Sequence, residues 1–226
     1  MSARVSEGVH DRLRGQILDG TLRPGAAVPS ERALAEELGV GRHAVREALK
    51  RLQQAGLVQI SQGGATRVLD WRESGGLELL LDLFESSSAQ PGAELVRAVL
   101  ETRATIGVDA ARRCAERAER ELRQRIREKA DQTAGAIGSG DDAAAVDAGY
   151  EELWQLIVAG SGNIAYRLAL NSLVGGIQRY ERIAAALRPG DPVPVKVLGE
   201  AVAAGSADEA AAAAGALLGP DARAVG

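Results

Sequence analysis

The stretch LGVGRHAVREALKRL, residues 38–52, decides how the first part of this chain folds. Gly39-Val40-Gly41 interrupts one helix, and the next starts at Arg42 and runs to Ala55 before Gly56 ends it. Within it Val45, Ala48, Leu49 and Leu52 recur at i, i+3, i+4 and i+7, which puts them on one buried stripe. Arg42, His43, Arg46, Glu47, Lys50 and Gln53 then point away from that stripe. Upstream, Ser30 is placed to cap a short helix ending at Leu38, with Glu31 in its first turn facing the positive end of the helix dipole. Two helices joined by a tight glycine turn make a helix-turn-helix, and a helix about 10–12 Å across fits the DNA major groove.

The same pattern also describes an ordinary helical hairpin with a solvated, charged face. Three neighbours favour the nucleic-acid reading. LVQI (57–60) and ATRVL (65–69) flank a Gln-Gly-Gly turn and predict a small basic hairpin, a wing beside the second helix. Arg32 lies in the first turn of the supporting helix. The charge is also partitioned: residues 1–70 hold 10 Lys and Arg against 8 Asp and Glu, whereas the whole chain carries a net −4.

Outward from this core, Val9, Leu13, Ile17 and Leu18 line one side of a helix expected over Val5–Asp19, and TLRPGAAVPS (21–30) reads as a turn-rich connector. From Gly76 onward the pattern is helical almost throughout, with seven helices expected. The expected organisation is a winged helix-turn-helix domain over 1–70, a linker over 71–75 and an antiparallel helical bundle over 76–226, a mainly α fold. Aromatic residues are only 3% of the chain while hydrophobic residues are 46%, so the bundle core must be built of aliphatic and small side chains. Cys114 is the single cysteine and cannot form an intramolecular disulfide or a cysteine metal cluster. No apolar run approaches the roughly 18 residues needed to span a bilayer, and the N-terminus has no apolar signal core, so a cytoplasmic protein with no membrane partner is expected.

The segment LRPGAAVPSERALAEELGVGRHAVREALKRLQQAGLV (22–58) closely resembles the N-terminal domain of GntR-family transcription regulators, whose pattern runs P-G-x-x-L/V-P-S-E-R and then L-G-V-x-R-x-x-V-R-E-A-L-x-x-L-x-x-x-G-L. The resemblance implies DNA contacts from Arg32, Arg42, His43 and Arg46, with Gln62 and Gly63 at the wing tip. Gly41, His43 and Ala44 replace polar Thr residues of the FadR-like pattern, and Gln62 replaces a wing His, so the operator differs from that of such relatives.

The segments at 66–85, 95–118 and 147–163 resemble the FadR subfamily, whose helical bundle binds a small effector. Many such bundles hold a metal through an Asp and three His. Here the only histidines are His10 and His43, Glu151 stands four residues after Asp147 where the first His is expected, and Val195 stands where a later one falls. No bound metal and no cofactor are therefore expected. The resemblance implies an anionic metabolite as effector, with acyl-CoA leading, and places Arg103 and Trp154 near it; Tyr150 and Tyr166 are candidates to lend it hydroxyls. Arg103, in the apolar run LETRATIGV, needs an anionic partner, either the ligand or a neighbouring acid. Trp154 and the tyrosines equally suit core packing. The C-terminal ALLGPDARAVG (216–226) departs from the subfamily, with Leu218, Ala222 and Val225 at ligand-contact positions and Gly219-Pro220 breaking the helix.

Residues 94–111 together with 76–85 are the expected dimer surface, since two winged domains match the two half-sites of a pseudo-palindromic operator. A helical-bundle enzyme using Asp147, Glu151 and Glu152 is the competing reading, but no Ser/His/Asp set, cysteine nucleophile or phosphate loop supports it. The expected protein is not an enzyme but a homodimeric, effector-controlled DNA-binding regulator, with double-stranded DNA and a small molecule as partners.

Overall fold

Helix α1 (Ser2–Leu18) buries Val9, Leu13 and Ile17, the stripe that its sequence spacing predicts, against the inner face of α3 (Arg42–Gln54). The computed structural model describes residues 2–61, 64–77, 79–80, 83–84, 92–178 and 180–223. Helix α2 (Glu31–Leu38) starts at Ser30, whose hydroxyl accepts from the Ala33 amide at 3.2 Å, and ends at Gly39 in the left-handed conformation. Val45, Ala48, Leu49 and Leu52 of α3 are all buried, joined by Ala44. Strands β1 (Val58–Gln59) and β2 (Arg67–Val68) pair antiparallel with Val58 opposite Val68 and Gln59 opposite Arg67. Residues 25–28 also run along β2: Val28 N–H donates to Thr66 O at 2.8 Å and Val68 N–H to Ala26 O at 3.0 Å. The connector of the sequence reading is thus a third edge of the wing.

The segment 71–75 does not behave as a linker. Trp71–Ser74 forms a short helix, α4, capped by the Asp70 side chain, and Trp71 packs on the same apolar cluster as α1 and α3. The Ser74 hydroxyl donates to Gly56 O at 2.7 Å, and Leu79 is buried in that cluster too. The chain divides into compact units at 1–88 and 89–226. Charged composition suggested a linker, but one indole and one cap suffice to hold this segment to the first unit.

The second unit is built among the described residues of seven helices: α5 (Ala93–Arg117), α6 (Arg120–Ser139), α7 (Ala143–Gly160), α8 (Ile164–Gln178), α9 (Glu181–Ala186), α10 (Pro192–Ala204) and α11 (Ala207–Arg223). Its core joins Ala111, Cys114 and Ala115 of α5 to Ile126 and Ala130 of α6, Leu153 and Ile157 of α7, Leu198 and Val202 of α10, and Ala210 and Ala214 of α11. Small residues set the spacing. A Cβ at Gly199 would collide with Ala130, and one at Gly160 with Cys114. The apolar side chains Val96, Val99 and Leu100 of α5 are buried in the unit's own packing. Large apolar side chains are exposed instead at Ile164 and Leu168 on α8 and Val193 and Val197 on α10. No helix among the described residues is long and apolar enough to cross a membrane.

Two outcomes follow from this packing. Gly56 has φ +71° and its Cβ would strike the Ser74 carbonyl, whereas Gly39 has φ +65° and open space. Gly56→Ala should therefore lower stability by about 2–3 kcal/mol and Gly39→Ala by only about 1, measured by thermal or urea unfolding. Burial pushes the Cys114 thiol up to about 12, so a thiol reagent at pH 8 should label it only as the chain unfolds.

Candidate functional site

The exposed face of α3 carries Arg42, His43, Arg46 and Lys50, each projecting opposite the buried stripe. Gly41 caps α3 with no side-chain hydrogen bond, and the Ala44 amide donates to Gly41 O at 3.0 Å. Arg46 is held from α2: its Nε donates to both Glu31 carboxylate oxygens at 3.0 and 3.2 Å, and Nη2 donates at 2.8 Å. These bonds hold the Glu31 carboxyl below the usual range, with Arg42 and Lys50 adding to the field. Glu31 therefore orients the arginine of the next helix, a role its first-turn position in α2 did not disclose. Arg32 lies exposed beside it, with Glu36 at 3.8 Å. Arg67 Nη1 donates to Gly25 O at 2.9 Å, so this wing cation clasps the connector. Gln62 and Gly63, expected at the wing tip, lie outside the described residues.

Within the second unit a cavity of about 490 Å³ opens between α5, α7, α8, α9 and α11. Arg103, Tyr150 and Trp154 line it; Tyr166 is not among its lining residues. The Tyr166 hydroxyl donates to Asp109, which also accepts from Arg113, and this hydrogen bond from Tyr166 leads in holding Asp109 below the usual carboxylate range. Tyr150 and Trp154 meet edge to face with ring centroids 6.2 Å apart. Burial raises the Tyr150 hydroxyl, which keeps it neutral. The indole Nε1 of Trp154 is buried and closes no hydrogen bond among the described residues. Arg103 Nη1 donates to Asp221 Oδ2 at 2.7 Å, so of the two partners its sequence left open, a neighbouring acid is present.

Sequence reasoning missed Arg167, Asn171 and Arg188 on the wall of this cavity. Arg188 follows α9 in a segment that reads only as a Gly-Pro break, yet its Nε and Nη2 grip Asp147 at 2.7 and 2.6 Å. Both Asp147 oxygens face a guanidinium, Glu151 accepts from Gln155 at 3.1 Å, and no three His, Cys, Asp or Glu among the described residues are grouped to hold an ion. The donor set does not fit the Asp-plus-histidine metal site of related bundles.

Residues 5–68 match the family described as bacterial regulatory proteins, gntR family, and residues 98–219 match the FCD domain. The HTH-type transcriptional regulator Mce2R of Mycobacterium tuberculosis is 36% identical over 210 residues, covering 85% of each chain. The fatty acid metabolism regulator protein of Vibrio cholerae is 36% identical over 90 residues, 40% of this chain and 32% of that one. Among solved structures, that of Lar, described as controlling the agr system of Listeria monocytogenes, matches in fold with a TM-score of 0.55 at 14% identity, covering 97% of this chain and 95% of that one.

The Asp109 cluster yields a signed pH test. A carboxyl held low contributes stability that is present above its unfolded value, near 3.8, and is lost as pH falls through the folded value. Tyr166→Phe should cost about 1 kcal/mol at neutral pH, with the gap in melting temperature from the unaltered chain narrowing below about pH 3.8.

Proposed function

This chain belongs to the GntR family of bacterial regulatory proteins and carries an FCD domain; it is a DNA-binding transcription regulator and not an enzyme, and we propose that α3 reads the operator while the cavity of the second unit takes the effector. The observation that carries the first half is the exposed Arg42, His43 and Arg46 face above a fully buried stripe. Arg42 and His43, in the first turn of α3, reach base edges; Arg46, steered by Glu31, and Arg32 hold phosphate. Gln62 and Gly63 touch the adjacent groove from the wing tip. The working unit is a cytoplasmic homodimer, since two copies match two half-sites and double the contacts one small domain can make.

The effector is an organic anion, bound by Arg103 with Tyr150 and Trp154 forming the apolar wall. The named role of the Vibrio cholerae relative in fatty acid metabolism supports an acyl compound, acyl-CoA included. Tyr166 is left out of the effector set because its hydroxyl serves Asp109. Effector binding biases the dimer between a DNA-holding and a DNA-releasing arrangement, a coupling worth about 1–3 kcal/mol in systems of this kind.

The test is operator selection from random duplexes followed by anisotropy titration at several salt concentrations. Affinity should fall steeply with salt. Arg42→Ala should reduce discrimination against mismatched duplexes by about 5–150-fold, corresponding to about 1–3 kcal/mol for one base contact. Arg103→Gln should leave operator affinity intact and weaken its response to effector. Unchanged discrimination in the first variant would remove Arg42 from base readout.

A further inference from the structure

Three cations line the cavity, Arg103, Arg167 and Arg188, against two acids, Asp147 and Glu151, which gives a formal balance of +1. Asp221, docked on Arg103, brings that balance to zero. The two bound arginines are held differently. Arg188 and Asp147 form a two-point fork with both side chains part-exposed, whereas Arg103 meets Asp221 through one nitrogen and one oxygen with both side chains only 12% exposed. A forked pair resists exchange; a one-point pair gives way to any anion that presents the same oxygen and adds apolar contact.

Asp221 also sits where the backbone is easiest to release. Pro220 lies inside α11, where it lacks the N–H that would tie the last turn to the preceding one. Three residues before Asp221, Leu218 is buried on the cavity wall against Gly107, so the helix stays anchored while its end moves. Burial raises the Asp221 carboxyl above its ordinary range despite the adjacent guanidinium, a sign that its charge is poorly accommodated there.

We propose that Asp221 is an intrachain stand-in for the ligand's head group: it occupies Arg103 until displaced by an effector that carries a single carboxylate on an apolar body. The inference rests on the reading of this cavity as the effector site. One released negative charge calls for one incoming negative charge. The body lies along Trp154, Val158, Leu170, Val174 and Leu187. On binding, the ligand carboxylate accepts the Arg103 hydrogen bond, and the last turn of α11 is freed into water.

Decanoate, with decanol and decanoyl-CoA as comparisons, tests this by calorimetry on the full chain. Asp221→Asn should bind decanoate about 10–100-fold more tightly than the unaltered chain, the range for removing a competitor from one charged hydrogen bond. Decanol should bind both proteins equally. In the unaltered chain, decanoate should speed amide exchange over residues 219–223 and slow it near Trp154, a readout that needs no variant to fold. Equal or weaker decanoate binding by Asp221→Asn, added protection at 219–223, or binding of decanoyl-CoA without decanoate would each overturn the proposal. The effector reading fails separately: decanoate that behaves as expected toward Asp221 but leaves DNA affinity unchanged would remove the effector role and keep the displacement.

Discussion

The burial of Val45, Ala48, Leu49 and Leu52 is the constraint on which the DNA-facing geometry depends. Each residue of a helix turns by about 100°, so locking one stripe against α1 leaves no rotational freedom for the rest of α3. Full burial of a Val- or Leu-sized side chain contributes about 1.5–3 kcal/mol, far more than any exposed ion pair on the opposite face. The arginines of the exposed face are therefore aimed by the side chains buried beneath it. Glu31 adds the finer adjustment, fixing one arginine within the arc that the stripe allows.

The second unit solves a different problem. With few aromatic residues to fill space, its helices approach through glycine and alanine, as at Gly160 against Cys114 and Gly199 against Ala130. Close approach of this kind raises packing density without large side chains, but it works only where two helices run side by side over a length. Where α8, α9 and the end of α11 meet α5 and α7 a cavity remains, and on its wall Leu218 and the Trp154 ring pack over Gly107 of α5.

Charge follows the same division. On the first unit, ion pairs such as Lys50 with Glu47 lie in water and order a surface without stabilising it greatly. In the second, Arg103 and Asp221 are nearly enclosed, and loss of either partner would strand a buried charge.

Local patterns in the sequence determined the helix-turn-helix, its caps at Ser30 and Gly39, the buried stripe of α3 and the mainly helical character of the described residues beyond the wing. These depend on residues within one or two turns of each other, where spacing translates directly into geometry. The absence of a histidine set was equally legible, because composition alone removes the ligands. The tertiary structure decided the rest: that Glu31 steers Arg46, that Trp71 and Ser74 belong to the first unit, that Tyr166 serves Asp109, and that Arg103 and Asp221, 118 residues apart, meet. Those pairings join residues on different elements, and helix periodicity fixes which face a residue occupies but not which other element that face will meet.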